Sequence, residues 1–210
     1  MLKIFNTKVY GLKESIKASG YPMLSGNVPV YENDECGLYE KDLKRGEKLG
    51  HAFQSSGHDC FLKGIVVQFD ITYPNYWTPQ FQRYHFADIV SSTSKMHRIT
   101  RMNLKETCNE YVDDIVLENL QKWVDFYNSF EVENEIKVFE HKPYNKYQVF
   151  MKIISNTPLG LEQTMRVTTN YLQLKTIYNQ RRHHKLKEDW GAFCHWCLTL
   201  PKFKELTGVL

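Results

Sequence analysis

Residues 161–182 read LEQTMRVTTNYLQLKTIYNQRR, and the folding of this stretch decides how the rest of the chain is understood. It follows a break at Pro158-Leu159-Gly160, and a single helix is expected over 161–182. On such a helix Asn170 and Arg181 are eleven residues apart. That separation is about 1100° of rotation, some 20° past three turns, so both fall on one face roughly 16 Å apart. Leu174 and Ile177 lie between them on that face. Arginine is seldom buried without a partner, so an Asn and an Arg bracketing an apolar stripe suggest a binding function. The plain alternative is that Arg181 runs its stem along the surface at a helix end, where a cation also suits the dipole.

Outward from this stretch, 187–199 is expected to be a second helix closed by Pro201, and 144–155 a third. Residues 104–130 carry Val112, Ile115, Val116, Leu120, Trp123, Val124 and Tyr127 at helical spacing and predict one long amphipathic helix. The charged segment EVENEIKVFEH suits a hairpin or an edge through Val132, Ile136 and Val138. Residues 61–73 predict a strand, because Ile65, Val67, Phe69 and Ile71 alternate with Val66, Gln68, Asp70 and Thr72. LKIFNTKVY near the start suits an edge strand, and 21–57 are expected to be mostly loop. The whole reads as one α+β domain over 1–210, with a small mixed or antiparallel sheet and long helices.

Composition narrows the function classes. The 210 residues are 42% hydrophobic and 14% aromatic, which supports a packed core rather than disorder. No apolar run reaches the length of a membrane span, and MLKIFNTKVYGLKES lacks the apolar core of a signal peptide. A cytoplasmic protein is therefore expected, with no membrane partner. The net charge of +3 is mild, and no nucleic-acid partner is expected, although QRRHHKLK at 180–187 is locally basic. The five cysteines (Cys36, Cys60, Cys108, Cys194 and Cys197) are odd in number and scattered, unlike a secreted disulfide framework. Cys194 and Cys197 form a C-x-x-C, but Trp190, Phe193, Cys197 and Leu200 share helical spacing, so both thiols are expected near the core and no metal site is assigned.

A second polar stretch begins at Thr78-Pro79, a capping hydroxyl followed by proline at the first helical position. A helix is expected to run from there through QFQRYHFADIV to the cluster Ser91, Ser92, Thr93 and Ser94. Gln80 and Arg83 then share a face, and Arg83 offers a planar fork suited to phosphate. The hydroxyls and turn-prone backbone beyond can hold an anion, or simply form a serine-rich helix exit. His58, in SSGHDCF, sits just before the expected strand. No Walker loop, Rossmann glycine fingerprint, nucleophile elbow or H-E-x-x-H is present.

Jointly these pieces resemble the flavin-dependent thymidylate synthase family. That family has a loop histidine before a strand, a helix with Q-x-x-R-H-R, a serine-containing nucleotide loop, and much later a proline, then an Asn and an Arg eleven residues apart. Here His58, Gln80-Phe81-Gln82-Arg83, Ser94, Pro158, Asn170 and Arg181 fall in that order and spacing, with one inserted residue before Ser94, over 58–98 and 150–192. The chain departs from the pattern elsewhere. Tyr84 and His85 follow Arg83 in place of His and Arg, which loses a permanent cation. The family's Asn-x-Arg reads Asn170-Tyr171-Leu172, and a later flavin-binding Asn appears as Thr176.

The resemblance implies methylation of dUMP to dTMP, with FAD as cofactor and NADPH and methylenetetrahydrofolate as co-substrates. It implies a homotetramer whose sites draw on several subunits. Arg181 would then be the catalytic residue facing the pyrimidine. Gln80, Arg83, Ser92, Thr93, Ser94 and Lys95 would bind the nucleotide, and His58, Arg83, Tyr84, His85, Asn170 and Thr176 the FAD. Two alternatives remain open. One is a paralogue transferring another one-carbon unit, such as hydroxymethyl, to a pyrimidine nucleotide; the other is a non-catalytic nucleotide- or nucleic-acid-binding protein using the basic stretch.

Overall fold

The computed structural model of the chain describes residues 2–30, 37–53 and 56–209; Cys36 lies outside them. In chain order it builds β1 (Lys3–Tyr10), α1 (Leu12–Ala18), α2 (Glu40–Gly50), β2 (Val66–Pro74), α3 (Thr78–Phe81), β3 (Asp88–Ser92), α4 (Lys95–Arg98), α5 (Leu104–Thr107), α6 (Asp114–Asn128), β4 (Ile136–Phe139), β5 (Lys142–Asn145), α7 (Lys146–Ser155), β6 (Glu162–Asn170), α8 (Tyr171–Arg181), α9 (Lys187–Thr199) and α10 (Phe203–Thr207). A four-stranded sheet runs β1-β2-β6-β3, and β4 pairs antiparallel with β5. This is the expected α+β class, with β1 at a sheet edge.

Backbone contacts divide the chain into two compact units. The first holds residues 72–80 and 92–164. Its core joins Leu120, Trp123 and Val124 of α6 to Val149 and Ile153 of α7, with Ile99, Leu104, Phe130 and Leu161 around them. The β4–β5 hairpin closes over this core through Phe139, which stacks on Phe126 at 4.7 Å and meets Trp123 at 4.8 Å. Its two-residue turn, Glu140-His141, has positive φ at both positions (49° and 65°), the geometry whose twist matches paired strands. Asn145 and Gln148 exchange hydrogen bonds with each other's backbone amides and so start α7.

The second unit holds residues 2–71, 81–91 and 165–210. Val67, Phe69 and Ile71 of β2 are fully buried, and Phe69 lies 4.4 Å from Trp196 of α9. Helix α8 is buried nearly all round, at Tyr171, Gln173, Leu174, Lys175, Ile177 and Tyr178. Gly50, at the end of α2, packs so tightly on the Leu206 carbonyl that a Cβ would stand 1.7 Å from it.

Several sequence expectations change. Residues 161–182 are not one helix. Glu162–Asn170 is a strand, with Met165, Val167 and Thr169 buried in alternation. The run Val167-Thr168-Thr169 is stiff at χ1 and favours a pleated surface over a helix. Asn170 ends the strand in an extended conformation and caps α8, accepting the Gln173 N–H at 2.9 Å. Asn170 and Arg181 therefore stand at opposite ends of α8 rather than on one face of a longer helix.

The helix from Thr78 stops after one turn, at Phe81. Two consecutive turns follow, with Tyr84 N–H donating to the Phe81 carbonyl and Ala87 N–H to the Tyr84 carbonyl. They bury Phe81, Tyr84 and Ala87 at intervals of three; the chain then straightens into β3. Gln80 and Arg83 consequently do not share a helix face.

The helix expected over 104–130 is broken at 108–113, where Cys108 forms a β-bridge with Leu161 and Asn109 N–H donates to the Gly160 carbonyl. Ile115 and Val116 are exposed, and the buried face of α6 begins at Leu120. The strand expected from 61 begins at Val66, because His58–Gly64 coils into a 3-10 turn. The expected loop 21–57 contains α2, and its residues 31–36 and 54–55 lie outside the described ones.

Candidate active site

The two ends of α8 carry the chemically distinctive groups of the second unit. At its C-terminal end Arg181 is half-buried, and its Nε donates to the Tyr84 hydroxyl at 2.7 Å. The hydroxyl in turn donates to Gln180 Oε1 at 3.1 Å. The guanidinium lies 4.7 Å from the centre of the fully buried Trp190 ring and 5.6 Å from that of Tyr84. A planar cation held by a ring and a hydroxyl has few other poses, so its charge is pre-aimed. His184 lies against the same tryptophan, with ring centres 6.1 Å apart. Burial, then the Arg181 and Lys185 charges, hold its pKa below the usual histidine value.

At the N-terminal end a cavity of about 360 Å³ is lined by Lys63, Phe86, Asn170, Leu172, Gln173 and Thr176. Two of the expected flavin-wall residues, Asn170 and Thr176, therefore meet here. Thr176 directs its hydroxyl to the Leu172 carbonyl, 3.1 Å away, and the oxygen of Asn170 caps α8. Phe86, an exposed ring, is tethered through its backbone carbonyl, which accepts the Thr169 hydroxyl at 2.6 Å. The lining combines apolar faces, amide groups and one cation, which suits a flat ring with a polar edge.

A buried ion pair fixes the wall opposite α8. Lys175 Nζ lies 2.8 Å from Asp59 Oδ2 and donates to the Gly50 carbonyl at 2.7 Å. Both side chains are more than nine-tenths buried. Asp59 belongs to the turn His58–Gly64, so this pair pins the turn that carries His58 and Lys63. Sequence reading missed Lys175, Asp59, Lys63, Phe86, Gln173 and Trp190. The available signal was Lys175 itself, a lysine set among the apolar and buried Leu174, Ile177 and Tyr178.

The remaining expected site residues divide by unit. Arg83 and His85 are exposed in the second unit, as is His58 at the head of its turn. Tyr84, expected beside the flavin, has its hydroxyl committed to Arg181 and Gln180. Gln80, Ser92, Thr93, Ser94 and Lys95 belong to the first unit. There Thr93 is tied to β6 by three contacts: its amide donates to the Thr164 carbonyl at 2.8 Å, its hydroxyl accepts the Thr164 amide at 3.1 Å, and its carbonyl accepts Gln163 Nε2 at 2.7 Å. Ser94 precedes the one-turn helix α4, which Lys95 begins.

Cys194 and Cys197 are buried as expected, with Phe193 and Trp190 on the same helix. Burial pushes the Cys194 thiol up to about 11 and holds Cys197 well above the usual thiol value, so neither thiolate is accessible near neutrality. Among the described residues, no three His, Cys, Asp or Glu side chains are grouped to hold a metal, and no helix is long and apolar enough to cross a membrane.

No family sequence model matches the chain, and no curated protein sequence does. Solved structures do match. A flavin-dependent thymidylate synthase of Helicobacter pylori complexed with FAD and dUMP superposes with a TM-score of 0.67 at 16% identity, covering 98% of this chain and 97% of that one. A second structure of the Helicobacter pylori enzyme, also with FAD and dUMP, gives 0.66 at 16% identity over 99% and 97%. A UMP/dUMP methylase of Streptomyces cacaoi bound with 5-Br dUMP gives 0.58 at 11% identity over 99% and 94%. The chain thus has the fold of the flavin-dependent thymidylate synthases along its whole length.

Proposed function

We propose that this protein is an enzyme that modifies dUMP, methylating it to dTMP with FAD, NADPH and methylenetetrahydrofolate. The observation that carries this reading is Arg181, a guanidinium locked by Tyr84 and Trp190 at the end of α8, within a fold shared over its full length with enzymes solved with dUMP. A fixed cation beside a pyrimidine stabilises the negative charge that develops as N3 ionises, and that ionisation activates C5. Pre-aiming by Tyr84 and Trp190 removes the cost of reorienting the charge during reaction. Arg83 offers a phosphate a bidentate fork, and Gln80, Ser92, Thr93, Ser94 and Lys95, in the other unit, are the further nucleotide-binding groups that the resemblance implies.

The residues around the α8 N-terminus fit a flavin. Phe86 offers a ring face, while Asn170, Gln173 and Thr176 bring polar groups to the same cavity. His58 and His85, both exposed in the same unit, are further flavin contacts in this reading. Bound there, FAD would supply hydride chemistry, with NADPH as its reductant and methylenetetrahydrofolate as the carbon donor; the protein's own task is to bind, orient and polarise the pyrimidine. The assembly is a homotetramer that completes each site from several subunits.

A second reading has the same nucleotide site transferring a different one-carbon unit, such as hydroxymethyl. The positions that depart from the family pattern, Tyr84, His85, Leu172 and Thr176, favour it. Titrating the purified protein with FAD while recording the flavin absorbance band tests the cofactor assignment. Saturable binding at micromolar FAD is expected; no spectral change would remove the thymidylate synthase reading.

A further inference from the structure

The cavity at the start of α8 contains one cation among its lining residues, Lys63, and is also lined by Leu172, where the family pattern has an arginine. Lys63 is exposed and makes no hydrogen bond or ion pair with a described residue. It is held in place indirectly: its turn is anchored at Asp59 by buried Lys175, 2.8 Å away. Phe86 is the other unusual lining residue. It is a large ring left 64% exposed, yet its backbone is fastened to β6 by the Thr169 hydroxyl. An exposed ring and an uncommitted cation at one cavity are the two elements that recognise a flat, negatively charged molecule: a face to stack on and a charge to pair.

We infer that Lys63 and Phe86 form a clamp for a planar anionic ligand, in which Lys63 supplies from the 58–64 turn the positive charge that α8 lacks at Leu172. This rests on the flavin reading above and adds to it which side chains hold the cofactor in this chain. A cation moved from a helix to the facing turn keeps the charge at the same cavity while leaving α8 apolar at Leu172, so the change is a relocation rather than a loss. Asn170 serves the clamp as a fixed polar edge, because its oxygen is committed to the α8 cap while its NH2 group makes no hydrogen bond with a described residue.

The test is an FAD titration of the full-length protein, followed by flavin fluorescence, for wild type, Lys63→Met, Lys63→Arg and Phe86→Leu. Lys63→Met is expected to weaken FAD binding about tenfold, as befits loss of one charge-assisted contact at a half-open site, and Lys63→Arg to restore it. Phe86→Leu is expected to weaken binding and to reduce fluorescence quenching, since stacking on the ring is lost. Melting temperatures measured alongside are expected to stay at the wild-type value, because both side chains are exposed. FAD binding by Lys63→Met with wild-type affinity overturns the clamp while leaving the flavin assignment standing. A wild-type protein that binds neither FAD nor FMN overturns both.

Discussion

At the scale of single residues, Arg181 is the position on which the account turns. Its guanidinium rests on Trp190 and takes its fixed pose from the Tyr84 hydroxyl. Arg181→Ala is therefore expected to abolish dUMP binding in calorimetry while shifting the melting temperature little; a large stability loss with dUMP affinity intact would make it structural. Arg83→Lys is expected to weaken dUMP binding substantially, because a bidentate fork becomes a point charge. His184 gives a pH prediction. Burial, then the Arg181 and Lys185 charges, lower its pKa in the folded chain, and its Nδ1 accepts the Leu186 N–H at 3.1 Å. The unfolded chain thus takes up the proton first. Stability from this group is complete above the ordinary histidine value of 6.5 and is lost as the pH falls below it. Denaturant titrations on either side of that value are expected to show the loss, and His184→Gln to reduce it.

At the scale of elements, legibility followed how local the determining forces were. Helix α9 was readable because its buried face, Trp190, Phe193 and Cys197, repeats at helical spacing and Pro201 ends it. Strand β2 was readable from strict alternation, except at its start, where the turn holding Asp59 answers to Lys175 more than a hundred residues away. The stretch 161–182 misled because one residue, Asn170, serves two elements: it ends β6 and caps α8. Its spacing to Arg181 remains informative, since it measures the length of α8 and places one group at each end. Removing that cap by Asn170→Ala is expected to cost about 1 kcal/mol in chemical denaturation, and to weaken FAD binding as well. The long helix read over 104–130 failed because Cys108 and Asn109 pair with the 160–161 backbone, a long-range choice that no helical period encodes. The buried Lys175–Asp59 pair belongs to this scale too, since it joins α8 to the 58–64 turn. Lys175→Ala leaves the Asp59 charge buried without its partner and is expected to destabilise the protein by about 3–5 kcal/mol.

At the scale of the whole molecule, the fold was legible from spacing that no single motif carried. That reading rested on the order and spacing of His58, Gln80, Arg83, Ser94, Asn170 and Arg181, although several of the elements expected to bear those residues changed type. The chemistry was less legible. The altered positions Tyr84, Leu172 and Thr176 meet neighbours from distant sequence, Trp190, Phe86 and Lys63, that no local pattern announces. Whether those changes alter only cofactor handling or also the group transferred is decided by the product. Incubating the protein with dUMP, FAD, NADPH and methylenetetrahydrofolate and weighing the nucleotide by mass spectrometry reads that product directly. The account predicts a nucleotide heavier than dUMP by one CH2, its formation abolished by Arg181→Ala. A gain of CH2O would transfer the assignment to the hydroxymethyl reading, and unchanged dUMP would contradict the account.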